Sequence, residues 1–122
     1  MPVVGTLDGD TLLHSAARGG HLNILQLLLE KTDIDPNREN KYGYTPLHCS
    51  VKEGHIVIVQ LFLGRTDIGQ NKVNKDGDTL LHSAARGGHL NILQLLLERT
   101  DIDPNRENKV LNEVIHRIVR LC

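Results

Sequence analysis

Seven histidines in a chain of 122 residues are enough imidazole for metal ligation or general acid–base chemistry. Their spacing decides whether either is built. His14 and His21, His48 and His55, and His82 and His89 form three pairs, each seven residues apart. A zinc-binding helix needs two histidines at i and i+4 with a carboxylate close by, and a seven-residue step across a glycine does not supply that. Ser15 and Ser83 each follow a histidine, but a nucleophile triad needs one constellation, not degenerate copies. Gly19-Gly20 and Gly87-Gly88 lack the lysine and spacing of a phosphate loop. The two cysteines, Cys49 and Cys122, form no CxxC pair, hence no zinc cage and no disulfide framework. Cys49 stands where Ser15 and Ser83 stand and reads as a small buried hydrophobe, not a nucleophile. No catalytic residue, no metal and no cofactor are expected. A histidine-dependent metal site or enzyme is the alternative that this spacing disfavours.

The elements that position these residues come from the composition and its periodicity. The formal charge is −1, with 39% hydrophobic and 24% charged residues, which is the composition of one globular domain and gives no pull toward nucleic acid or anionic lipid. Aromatic residues are 2%, too few for a platform that stacks single-stranded bases. The first seven residues do not read as a signal peptide, and the longest apolar run, Leu27 to Leu29, is far short of a membrane span. The cysteine usage and the absence of these signals predict an intracellular protein, cytoplasmic or nuclear.

Internal repetition dominates the chain. The segment from Asp8 to Glu30 recurs letter for letter from Asp76 to Glu98, 68 residues on, and the match resumes from Thr32 and Thr100 as TDIDPNREN. A diverged copy lies between them: Thr11, Thr45 and Thr79 are 34 residues apart, as are His14, His48 and His82, and His21, His55 and His89. The predicted organisation is a leader over 1–7, repeats over 8–41, 42–75 and 76–109, and a tail over 110–122. Six of the seven histidines therefore sit on two fixed phases, as structural residues would.

Each repeat predicts the same local structure. A glycine (Gly9, Gly43, Gly77) turns the chain, and a threonine two residues later caps a short helix. Pro46 follows Thr45 at the first helical position, where a missing N–H is tolerated. Leu13, Ala16 and Ala17 make a helix of small residues, which Gly20 stops. The second helix, from about Leu22 to Glu30, is apolar on too many sides for a helix with one wet face. It suits a position between neighbouring repeats. Pro36 prevents its continuation, and Asn37, Asn71 and Asn105 are expected to bond the backbone of the following turn. The tail carries Val110, Leu111, Val114, Ile115, Ile118 and Val119 at helical spacing and predicts an amphipathic capping helix. No comparable cap precedes the first repeat, so its outer face is expected to expose apolar surface, which raises self-association through that uncapped N-terminal face.

Thr45-Pro46-Leu47-His48 followed by Gly54-His55 resembles the ankyrin repeat, whose motif is T-P-L-H. The outer copies depart by one residue, reading TLLH. The usual Gly-Ala-Asp-x-Asn ending becomes Thr-Asp-Ile-Asp-Pro-Asn over Thr32 to Asn37, which lengthens the period from 33 to 34. The tetratricopeptide repeat shares the period of 34 but requires aromatic positions lacking here. The resemblance implies an all-α helix-turn-helix solenoid with short β-hairpin fingers. Thr11, His14, Thr45, Pro46, His48, Thr79 and His82 would then be motif residues, and His21, His55 and His89 would tie one repeat to the next.

The resemblance also implies a non-catalytic interaction scaffold whose partner protein docks on the fingertips and the inner helices. The residues at those phases are Lys41, Tyr42 and Tyr44 on the middle finger, Lys75, Asp76 and Asp78 on the third, and Arg18, Lys52 and Arg86 on the helices. Both tyrosines of the chain fall on the middle finger, and tyrosine is enriched among interface hot spots. The middle repeat carries a charge of +2 between neighbours of −2 each, a pattern that orients an approaching partner. The alternative is a structural segment of a longer ankyrin protein whose activity lies elsewhere.

Overall fold

A computed structural model describes residues 8–69 and 73–99. Among them are six helices in three antiparallel pairs: α1 (Leu12–Gly19) with α2 (Leu22–Lys31), α3 (Pro46–Glu53) with α4 (Ile56–Leu63), and α5 (Leu80–Gly87) with α6 (Leu90–Glu98). The expected leader over 1–7 and the capping helix over 110–122 lie outside the described residues.

The helix starts follow from the threonines. Thr11 Oγ1 accepts from the N–H of His14, while the Thr11 N–H donates to His14 Nδ1 at 3.0 Å. This is a reciprocal capping box with histidine in the place usually held by Glu or Gln, and Thr45–His48 and Thr79–His82 repeat it. Pro46 occupies the first helical position of α3, as its missing N–H allows. The stops follow from glycine. At Gly54 the chain turns left-handed (φ +83°), and its N–H and that of His55 close the last carbonyls of α3.

The pairs stack. α1 packs on α3 and α3 on α5 to form an inner layer, while α4 packs on α6 in the outer layer. Leu13, Leu47 and Leu81 are buried at one phase of the repeat; Leu25, Val59 and Leu93 are buried at another. The residues Ala16, Ala17, Ser50 and Ala84 are also buried, and their small size lets the inner helices approach closely. Phe62, the one phenylalanine, is fully enclosed where the neighbouring repeats carry Leu28 and Leu96.

The fingers differ from expectation. There is no strand among the described residues. Each finger is a tight turn, with the Gly43 N–H on the Asn40 carbonyl at 3.0 Å and the Gly77 N–H on the Asn74 carbonyl at 3.0 Å. Successive fingers are joined by one backbone bond, Lys41 N–H to the Asp8 carbonyl (2.7 Å) and Lys75 N–H to the Tyr42 carbonyl (3.1 Å). One bond per step does not make the alternating ladder of a β-hairpin. Gly43 (φ +80°) is required here for a second reason: a Cβ would lie 2.9 Å from the backbone nitrogen of Lys75.

Identical sequence meets different surroundings at the two ends of the array. Leu12 is 52% exposed and Leu80, its counterpart 68 residues on, is 1% exposed; Ile24 is 52% exposed and Ile92 is 2% exposed. The broad apolar character of the second helix is thus used in α6, while α2 leaves Ile24 and Leu27 in solvent.

Candidate functional site on the inner face

The histidines do not converge. His14 Nε2 donates to the Tyr44 carbonyl at 2.8 Å while Nδ1 serves the capping box, so one imidazole closes its own helix and bonds the next repeat. A carbonyl only accepts and the Thr11 N–H only donates, which fixes the neutral Nε2–H tautomer. The second phase works across repeats: His55 Nε2 donates to the Arg18 carbonyl and His89 Nε2 to the Lys52 carbonyl, both at 2.9 Å. Each ring lies over the stop glycine of the preceding repeat, and a Cβ on Gly54 would come within 2.6 Å of the His89 ring. Among the described residues no group of His, Cys, Asp and Glu is placed to hold a metal ion.

Burial pushes the His14 imidazole below its ordinary value of 6.5, against the hydrogen bond to Tyr44 and the Asp10 charge. The unfolded chain then takes the proton more readily than the folded one. Stability from this group is complete above about pH 6.5 and is lost as pH falls through the lower folded-state value. The His14 ring-proton resonance is expected to titrate below that of an exposed histidine, with a falling urea midpoint over the same window. A ring that titrates at the ordinary value contradicts the burial.

The candidate partner-binding residues separate into two groups. Lys41 and Tyr42 are exposed on the middle finger, with the Lys41 ammonium 5.6 Å from the Tyr42 ring and the Tyr42 hydroxyl 3.4 Å from Asp8 Oδ1. Lys75 and Asp76 are exposed on the third finger. Asp78 is not presented there. Its carboxylate is buried and pairs with Arg86, so it positions a cation instead of meeting a partner. Asp10 does the same for Arg18 in the first repeat. It also accepts from Asn40 Nδ2 at 2.8 Å. Burial pushes the Asp10 carboxyl up, but the hydrogen bonds from Arg18 and Asn40 and the Arg18 charge outweigh it and hold the carboxyl below the usual range. Arg18 remains 41% and Arg86 57% exposed, so both keep a face toward the groove.

The middle repeat breaks this pattern. Tyr44 stands at the phase of Asp10 and Asp78, and Lys52 at the phase of Arg18 and Arg86. The buried ion pair becomes a cation over a ring, with the Lys52 ammonium 5.3 Å from the Tyr44 centroid. Tyr44 also meets the His48 ring edge-on at 6.2 Å. Asn74, at the phase of Asn40, finds no carboxylate at position 44, and its buried Nδ2 has no hydrogen-bond partner. Tyr44, Lys52, Glu53, Asp78, Ser83 and Arg86 line a shallow groove between the second and third repeats. This exchange was visible in the sequence as a paired change eight residues apart, Asp/Arg to Tyr/Lys, but reading each finger as a surface hid the partnership.

The other singled-out residues have ordinary places. Asn37 Nδ2 donates to the Asp67 carbonyl at 2.6 Å and its Oδ1 accepts from Gly69 N–H at 2.8 Å, tying two turns together. Asn71 and Asn105 lie outside the described residues. Cys49 is buried, burial pushes its thiol up to about 11, and Arg18 Nη2 donates to its sulfur at 3.3 Å. A thiol held that far up stays protonated and unreactive.

With this geometry in hand, comparison with known proteins gives a consistent result. A family model described as ankyrin repeats (3 copies) matches over residues 3–72 and 35–108. The chain belongs to the ankyrin-repeat family, an all-α solenoid class whose members generally mediate protein–protein interaction and are typically non-catalytic. No curated protein matches it. Among the described residues no helix is long and apolar enough to cross a membrane.

Proposed function

We propose that the chain is a non-catalytic protein-binding module whose partner docks on the inner face. Tyr44 and Lys52 form the centre of the docking surface, flanked by Arg18 and Arg86 and edged by Lys41, Tyr42, Lys75 and Asp76 on the fingers. The observation that carries this reading is the sacrifice made in the middle repeat. Its neighbours hold a buried Asp with an Arg, and the first adds a bonded Asn. The middle repeat gives up the carboxylate and leaves the Asn74 amide buried without a partner, at a cost of about 1–3 kcal/mol. A stabilising interaction given up at the centre of a groove marks selection for something other than stability. What is gained is an aromatic side chain beside a lysine with no carboxylate partner among the described residues. That pair suits a protein segment presenting an acidic side chain next to an apolar one. The buried free thiol of Cys49 suits a reducing, intracellular setting.

Capture by the immobilised chain, with crosslinking, tests the reading. The parent is expected to retain a protein that Tyr42→Ala/Tyr44→Ala loses. Tyr44→Asp/Lys52→Arg rebuilds the neighbours' ion pair and gives Asn74 an acceptor; it is expected to lose the same protein while unfolding no earlier than the parent. Retention by both variants overturns the proposal.

A further inference from the structure

The leading face of the first helix pair, the side away from α3 and α4, carries the largest exposed apolar side chains of α1 and α2: Leu12, Ile24 and Leu27. Beside them is an open groove lined by Gly9, Thr11, Leu12, Leu28, Thr32 and Ile34. An unpartnered apolar face does not by itself name its occupant. Here the chain names it, because the same 23 residues occur twice. In the third repeat this face is seated on the second: α5 packs on α3 and α6 on α4, and Leu80 and Ile92 are buried where Leu12 and Ile24 are exposed.

The polar half of the contact agrees. His89 Nε2 donates to the Lys52 carbonyl of the preceding repeat, and His55 donates in the same way to Arg18. His21 stands at the same phase and is exposed, with no such carbonyl in reach among the described residues. The apolar patch and this unused donor occupy the positions that a preceding repeat fills in the other two cases.

We propose that the leading face of the first repeat is a docking surface for a further ankyrin-type repeat whose trailing face carries the chemistry of residues 42–75. Such a repeat offers an inner-helix carbonyl at the phase of Lys52 for His21, and apolar second-helix side chains for Leu12 and Ile24. A second copy of this chain is a poorer occupant. It can offer its own second repeat only by releasing its third, which exposes an equal surface, so the exchange gains no burial. This surface is separate from the Tyr44–Lys52 groove and stands or falls independently of it.

The test inserts a second copy of residues 42–75 between Leu7 and Asp8 of the full chain. Repeat stacking adds one interface, and the unfolding midpoint is expected to rise by roughly 5–10 °C. Leu12→Ala, nearly silent in the parent, is expected to lower the midpoint of the extended protein by as much as Leu80→Ala does. The His21 ring is expected to become a fixed Nε2–H tautomer. An insert that is cleaved by protease as an unfolded arm, with Leu12→Ala still silent, overturns the proposal. Concentration-dependent dimerisation of the parent that Leu12→Asp abolishes also overturns it, because the occupant is then a second copy.

Discussion

Phe62→Ala is expected to destabilise the protein by about 3–5 kcal/mol and to remove its single cooperative transition. Phe62 is fully enclosed and is the largest of the fully buried side chains. It lies on α4, in the middle of the stack, with a repeat on each side. The stability of such arrays is close to a sum of repeat terms and nearest-neighbour interfaces. A cavity in the middle repeat therefore weakens both interfaces at once and uncouples the first helix pair from the third. Domains of this size hold only about 5–15 kcal/mol in total, so the loss is a large share of what exists. Urea unfolding followed by circular dichroism reads it directly. A change below about 1 kcal/mol would mean that the middle repeat does not carry the others.

The second large effect comes from one substitution made at two places in identical sequence. Leu80→Ala is expected to cost about 2–5 kcal/mol, because Leu80 is buried against the second repeat. Leu12→Ala changes the same residue in the same 23-residue context and is expected to stay within about 1 kcal/mol, since half of the Leu12 side chain is already in water. Helix propensity, capping and neighbours in sequence are identical for the two, so they cancel. What remains is burial at the repeat interface. Equal costs at the two sites would falsify the stacking order.

Much of this was legible in the residues. The threonine caps, the glycine stops, Pro46 at the first helical position and the fixed phases of the histidines follow from local chemistry that each copy repeats. Other features depend on position in the array, which no local pattern encodes. Leu12 and Leu80 read alike and end in opposite environments. Asp10 and Asp78 read as fingertip acids because aspartate favours turns, yet each is drawn inward by an arginine eight residues later on the inner helix. The fingers read as hairpins, but one backbone bond per step leaves them as turns. The Tyr44–Lys52 pair became readable only when the two phases were compared together across the repeats.

The central claim is that the imidazoles are repeat-joining groups, spread one module apart, and not a site. Nitrogen-15 spectra of the histidine rings, with and without added zinc, test it most directly. The account predicts neutral Nε2–H tautomers for His14, His55 and His89, each with its own chemical shift and unmoved by the metal. Rings that shift together on stoichiometric zinc, or that titrate as one coupled group, would contradict it.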